Sequence, residues 1–342
     1  MGNIGLAQIN LVAGGLEENT NKILEYIEKA KNLNLDIIVF PKHSLLGCEL
    51  NDFINRYPFI LNNIDKYLNI IKEVTENITV IVGFIDKNKK HVYAIIRNKQ
   101  IEHILDNTEF ITSKLINDGV EFLIHPTSLP SKLNSESIRH EFLEKYSREN
   151  KRVILDINQV GAIDCYSYNG ESCAYDENGK LFARACAFEE ELLVVDTYNK
   201  IGTISISHIP EMQLDFSLNY EEDLERTYKS IVQAIQDYFK KCGLKRAVLG
   251  LSGGLDSTVC AVLLVDALGK ENVYGVSMPS KLTSIESKSD ALLLAENLGI
   301  GFSETPIKEM HDTTTSCFEK LFEQVEQNWG CRYKTSYTQD NI

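Results

Sequence analysis

One segment constrains this chain more than any other. A strand-like run ends in Gly250-Leu251-Ser252-Gly253-Gly254-Leu255-Asp256-Ser257-Thr258, and a helical pattern follows at once. Two adjacent glycines let the backbone adopt positive φ and come close to a ligand. The N–H groups at the start of the helix point into the turn, where the helix dipole favours an anion. Ser252, Ser257 and Thr258 add hydroxyl donors. Asp256 adds a carboxylate, which suits a phosphate only if a cation bridges the two. A Walker loop would need a lysine that is absent here, and the dinucleotide Gly-x-Gly-x-x-Gly pattern is also missing. The plain alternative is an ordinary strand–helix turn with Ser252 or Asp256 as N-cap.

Around this turn, strands alternate with helices. The pattern predicts a helix over 220–242 with Gly243 at its C′ position, a strand over 247–251 and a helix over 257–268. A strand over 273–278, a helix over 284–298 closed by Gly299 and a strand over 301–307 follow. Such alternation implies parallel βαβ units. The first third also alternates. It has strands over 5–9, 36–40, 78–84 and 92–97, and a helix capped by Asn19 with Ile23, Ile27 and Ala30 at helical spacing. A second helix spans 135–150, and a strand over 152–157 follows it. Residues 197–219 carry Gly, Ser, His and Pro with weak periodicity and read as a linker.

At 342 residues the chain is long enough for two domains, and 43% hydrophobic with 25% charged residues is ordinary for a globular protein. The net charge of −14 repels phosphate backbones, so no nucleic-acid partner is expected. No apolar stretch approaches the ~20 residues of a membrane span, and the N-terminus has no secretory pattern. The eight cysteines show neither Cys-x-x-Cys pairs nor zinc spacing, which fits reduced thiols and a cytoplasmic location.

Ser-Gly-Gly-x-Asp-Ser resembles the pyrophosphate loop of the ATP-pyrophosphatase superfamily, whose members cleave ATP between the α and β phosphates and adenylylate an acceptor. Three further blocks resemble consecutive parts of NAD+ synthetase: Asp266-Ala267-Leu268-Gly269, then Asn272-Val273-Tyr274-Gly275-Val276-Ser277-Met278-Pro279-Ser280, then Leu294-Ala295-Glu296-Asn297-Leu298-Gly299. Leu6-Ala7-Gln8-Ile9-Asn10, Phe40-Pro41, Asn158-Gln159-Val160-Gly161 and Asn169-Gly170-x-Ser172 resemble the nitrilase-like glutaminase domain fused to that synthetase. The resemblance implies an α/β chain with two domains. Residues 1–196 would form a nitrilase-like sandwich of two sheets with helices outside. Residues 220–342 would form a doubly wound parallel sheet of the ATP-pyrophosphatase (adenine nucleotide alpha hydrolase-like) type. It also implies binding of ATP and Mg2+ by Gly250, Leu251, Ser252, Gly253, Gly254, Leu255, Asp256 and Ser257. Met278 would line the adenine pocket, Asp256 would hold the metal, and deamido-NAD+ would be the acceptor.

The departures from the family are as informative as the matches. Nitrilase-type amide hydrolysis uses a Glu–Lys–Cys triad, and the family glutamate follows Phe-Pro. Here Lys42 stands in its place, so no catalytic residue is assigned to the N-terminal domain. The stretch 98–118 is too short for the family segment that carries the lysine and the cysteine. It contains no cysteine, and Lys114 lacks the family's context. Cys48 and Cys165 do not align with the nucleophile. Leu129 replaces a serine, and Ser135 a lysine, that contact glutamine in the family. Thr335-Ser336-Tyr337-Thr338 resembles the start of a block that runs on in the family, so the sheet is expected to be incomplete, with poor order after about Met310. The reading is an NAD+ synthetase by descent with an inactive glutaminase site. Its alternatives are a non-catalytic remnant or one half of a split synthetase that needs a separate C-terminal polypeptide. A homo-oligomer is the other partner considered.

Overall fold

The computed structural model describes residues 2–48, 58–106, 109–113, 122–133, 135–203, 220–280 and 284–330. It divides into two compact units, Met1–Leu244 and Lys245–Ile342.

The first unit holds four layers. Its larger sheet runs β14-β13-β1-β2-β3-β4-β5. Here β1 is Asn3–Gln8, β2 Ile37–Val39, β3 Thr79–Ile85, β4 His91–Arg97, β5 Gln100–Asp106, β13 Glu191–Asp196 and β14 Ile201–Gly202. β1, β2 and β3 are parallel, and the flanking strands are antiparallel. The smaller sheet runs β12-β11-β8-β7-β6, with β6 Ile111–Thr112, β7 Phe122–Pro126, β8 Val153–Ile157, β11 Cys173–Tyr175 and β12 Leu181–Arg184. A two-stranded ribbon pairs β9 (Val160–Ile163) with β10 (Tyr166–Asn169).

Side chains on a strand alternate between faces, and that alternation sorts the core. Ile4, Leu6, Ile37, Val39, Tyr93 and Ile95 meet Ile124, Leu155 and Ile157 between the sheets. Ala7, Ile38, Phe40, Val80 and Ile96 face outward. There they pack against α1 (Leu16–Asn32) and α2 (Ile64–Glu73) through Ile23, Ile27, Leu68 and Ile71. Helix α3 (Ser135–Asn150) covers the other sheet through Leu143. Central parallel strands buried on both faces explain the unbroken apolar runs that made them recognisable.

Two readings of this half need correction. Asn19 does not cap α1, whose N-cap is Gly15. It is buried inside the helix, where its amide donates to the carbonyls of Val12 and Leu45 and accepts from the Val12 N–H. Within the stretch read as a linker, Ile201–Gly202 pairs with β13 as an edge strand, while 204–219 lies outside the described residues.

Helix α4 (Tyr220–Lys241) ends as expected, with Gly243 in the left-handed region at φ 68°. It packs on β9 and β10 through polar anchors. Arg226 donates to Glu171 at 2.7 and 3.1 Å. Asp237 accepts from the Ala162 N–H at 2.6 Å and from Asn10 at 2.9 Å. Lys241 reaches the Asn10 side chain and the Ala162 carbonyl at 2.7 Å.

The second unit is a parallel sheet in the order β15-β16-β17: Ala247–Gly250, Val273–Ser277 and Gly301–Glu304. Helices α5 (Leu255–Leu268) and α6 (Ile285–Leu298) join the strands. Leu251, Ala261, Ala291, Ala295 and Ile300 form their common core. Poor order after Met310 was expected, yet Lys308–Trp329 forms a 22-residue helix, α7. Phe318, Leu321, Phe322 and Val325 recur at helical spacing, although no residue of this helix is buried. Among the described residues, no helix is long and apolar enough to cross a membrane.

Candidate functional site

The glycine turn of the second unit begins where β15 ends. The Leu251 N–H continues the parallel ladder to the Val276 carbonyl at 2.9 Å, and its side chain drops into the core. The backbone then turns at Gly253, with φ 79°. A Cβ on Gly253 would lie 2.2 Å from the main-chain oxygen of Ser287, in the first turn of α6, so both the conformation and the space require glycine. Gly254 is the N-cap of α5, in extended conformation, with no side-chain cap bond. Neither Ser252 nor Asp256 caps the helix, and α5 starts two residues before the sequence reading put it. A glycine cap leaves the first N–H groups of the helix without a side-chain acceptor.

The hydroxyls around the turn converge. The Ser252 N–H donates to Ser257 Oγ at 3.3 Å, and the two Oγ atoms lie 3.1 Å apart. The Gly254 N–H donates to Ser252 Oγ at 3.2 Å, and Ser257 Oγ donates to the Gly254 carbonyl at 3.0 Å. Leu255 and Asp256 are exposed in the first turn of α5. Met278, just beyond β16, brings its Cε to 3.4 Å from a Cβ built on Gly250. The structure therefore gathers the whole predicted set, Gly250 to Ser257 with Met278, at the carboxyl ends of two adjacent parallel strands, where ligands of such sheets bind. An anion fits this cradle. Among the described residues no cluster of three His, Cys, Asp or Glu side chains is arranged to hold a metal. A magnesium ion at Asp256 would therefore be shared with phosphate oxygens.

In the first unit, Lys42 follows Phe40-Pro41. Its N–H donates to the Thr127 carbonyl at 3.1 Å, and a Cβ on Gly83 would collide with its own carbonyl oxygen. That close approach fixes the backbone where a glutamate base would stand, but the side chain is a cation. The neighbouring His43 is buried, with its ring 4.6 Å from that of His91. Burial first, then His91 and Lys42, push its imidazole down to about 3. Cys48 is buried and Cys165 exposed on the turn between β9 and β10. Lys114 lies outside the described residues.

Sequence reasoning missed a buried polar network behind this position. Asp156 on β8 is fully buried. Arg139 of α3 donates to its Oδ2 through Nε at 2.8 Å and through Nη2, and His125 Nδ1 lies 2.6 Å from Oδ1. Burial pushes the Asp156 carboxyl up, but Arg139 and His125 outweigh it and hold the group below its ordinary value. Beside the network lies a cavity of about 480 Å³ at the N-terminal end of α3, bordered by Leu129 and Ser135 among others. The one available signal was Arg139 and His140 on the apolar stripe of α3 that also carries Leu143 and Ser147.

A helix–sheet–sheet–helix sandwich and a parallel-sheet unit with a serine-glycine turn define the class: a nitrilase-like domain in one chain with an ATP-pyrophosphatase-type domain. Comparison with known proteins agrees. Residues 227–339 match the NAD synthase family model. Glutamine-dependent NAD(+) synthetase of Aquifex aeolicus is 29% identical over 408 residues, covering 98% of this chain and 71% of that protein. The solved structure of glutamine-dependent NAD+ synthetase from Acinetobacter baumannii with ADP superposes with a TM-score of 0.78 at 21% identity. It covers 97% of this chain and 68% of that one. An amidase from Nesterenkonia sp. shares the fold over 57% of this chain and 89% of its own, with a TM-score of 0.50 at 13% identity. The chain is thus a homologue of the glutamine-dependent NAD(+) synthetases along nearly its whole length. That kinship supports an NAD synthetase function. The Aquifex alignment is longer than this chain, so the relative carries residues that this chain lacks.

Proposed function

We propose that the second unit binds ATP with Mg2+ in the manner of NAD+ synthetases. In their reaction the carboxylate of deamido-NAD+ is adenylylated and ammonia displaces AMP. The observation that carries this reading is the cradle itself: Gly253 held at positive φ against α6, a side-chain-free N-cap, and Ser252 and Ser257 facing one another. The N–H groups at the start of α5, with Ser252 and Ser257, would hold the phosphates. Asp256 would hold Mg2+, and Met278 would flank the base. The carboxylate needs adenylylation because its oxygen is otherwise a poor leaving group, and the metal would neutralise the departing pyrophosphate.

Calorimetry tests this directly. ATP–Mg2+ should bind the purified chain weakly but measurably. Asp256→Ala should abolish the magnesium dependence. Gly253→Ala should abolish binding altogether, since its Cβ meets main chain rather than a flexible side chain. No heat at millimolar ATP on a folded sample would overturn the reading.

The first unit is proposed to be a glutaminase scaffold without activity. A cation at position 42 cannot act as the base, and it lowers the proton affinity of the adjacent His43. Glutamine hydrolysis should stay at the level of a heat-killed control. Lys42→Glu alone should not restore it, because triad members act as a unit. Glutamate release by the parent chain would show that a nucleophile acts here after all.

One observation favours a second reading, in which the synthetase unit works with a further polypeptide. Val248 and Tyr274, paired across β15 and β16, are 72% and 41% exposed on the sheet face away from the α5–α6 core. Parallel sheets are ordinarily covered on both faces. NAD+ formation from deamido-NAD+, ATP and ammonia, assayed with the chain alone and mixed with a separately expressed C-terminal portion of a related synthetase, separates the two.

A further inference from the structure

We propose that the cavity at the N-terminal end of α3 binds a small organic cation, a primary ammonium carried on an apolar body, with Glu136 as its counter-ion. The cavity, about 480 Å³, is of the size that takes a small ligand. Leu129, Pro130, Ile138 and Phe142 supply apolar wall, which suits a hydrocarbon or aromatic body. Glu136, buried in the first turn of α3, supplies the charge. Its Oε1 accepts from Asn169 at 2.6 Å and from Ser131 at 3.4 Å.

Five ionisable side chains line the cavity: Glu109 and Lys132, both exposed and of opposite sign, with His125, Glu136 and Arg139. The guanidinium on its wall, Arg139, is already committed: Nε and Nη2 to Asp156, Nη1 to the Gly170 carbonyl at 3.0 Å, and Nη2 also to the Glu171 carbonyl at 3.2 Å. Glu171 is neutralised from the other side by Arg226. Glu136 therefore faces the cavity with neutral hydrogen-bond donors and no ion pair among the described residues. Burial, and then the nearby Glu171 carboxylate, raise its proton affinity, and an ammonium group would relieve both. Leu129 and Ser135, which border the cavity, carry no charge.

Isothermal titration of the full chain with phenethylamine, 3-phenylpropanol, 3-phenylpropionate and glutamine tests the assignment. Phenethylamine should bind, with the alcohol and both carboxylates at least about tenfold weaker, the scale of one charge-assisted hydrogen bond. Glu136→Gln should remove that preference and leave the alcohol unchanged. Ile138 is 65% exposed at the cavity wall, so Ile138→Trp should fold normally and block the amine by filling the mouth. Three results would each overturn the proposal: the alcohol or a carboxylate binding as tightly as the amine, undiminished amine binding by folded Glu136→Gln or Ile138→Trp, or no amine binding at millimolar concentration. ATP is absent from these titrations, so their failure is distinct from failure of the nucleotide site.

Discussion

Arg139→Met is expected to destabilise the first unit by about 3–5 kcal/mol, the range for removing one partner of a buried ion pair. Asp156 has no exposed surface and lies on β8, in the middle of the smaller sheet. In the parent its carboxylate is satisfied by two guanidinium nitrogens and by His125. Methionine fills much of the same volume but donates nothing. The carboxylate would keep only His125 and would take up a proton at a higher pH than in the parent, because burial alone pushes it up. The Gly170 and Glu171 carbonyls would lose a donor as well. The pair adds less than this cost suggests, since much of the penalty is the stranded charge. Arg139→Met with Asp156→Leu should therefore recover a good part of the loss, the behaviour seen when a whole buried ionic group is replaced by apolar residues. Urea denaturation followed by circular dichroism measures both. A single variant within about 1 kcal/mol of the parent, the scale of an exposed pair, would contradict the account.

What the sequence could reveal follows from how local each signal is. The turn 250–257 was legible because glycine, hydroxyl and carboxylate chemistry is packed into eight consecutive residues, and the structure brings all of them and Met278 together. The central strands were legible because two-sided burial forces apolar runs, as in Ile37–Val39 and in the first three residues of Val153–Ile157. β5 was not. It is an exposed edge strand whose Gln100, Glu102 and His103 carry no burial pattern; pairing with β4 and the partly buried Leu105 hold it. The allegiance of α4 was hidden for a different reason. The family match begins at residue 227, inside this helix, whereas its polar anchors, the buried Arg226 and Asp237 and the partly buried Lys241, bind residues from Asn10 to Glu171. No periodicity reports contacts at such separations. The cavity draws on the segments around Glu109, Leu129, Glu136 and Asn169, and only pairing of β7 with β8 and docking of α3 brings them to one place.

Acid should weaken the first unit well before its carboxylates protonate. His43 and His140 are buried in it as neutral imidazoles. Burial, then His91 and Lys42, lower His43 to about 3. Burial lowers His140 to about 4, with Glu171 opposing and Arg139 adding to the effect. Its Nδ1 is 2.6 Å from the Tyr175 hydroxyl. Unfolded, both would titrate at the ordinary value of 6.5. Below that pH the unfolded chain binds more protons than the folded one, so stability falls as pH falls. The loss begins near 6.5 and continues until the folded-state values are reached. At pH 4 each histidine contributes a loss of about 3 kcal/mol, taking about 1.4 kcal/mol per tenfold change in acidity. Glu136 works the other way, since its raised proton affinity favours the folded state in acid, and so trims the total. Asp156 and Glu171, both held below their ordinary values, add their own losses from about pH 5 downward. A combined ~6 kcal/mol corresponds to roughly 12–24 °C in melting temperature for a unit of this size. Scanning calorimetry from pH 7.5 to pH 4 should show a fall of that order in the transition of the first unit. His43→Leu, which swaps a buried neutral ring for a buried hydrocarbon, should remove about half of the slope. A melting temperature unchanged between pH 7 and pH 4.5, or a His43→Leu slope equal to that of the parent, would mean that these imidazoles reach solvent and titrate normally.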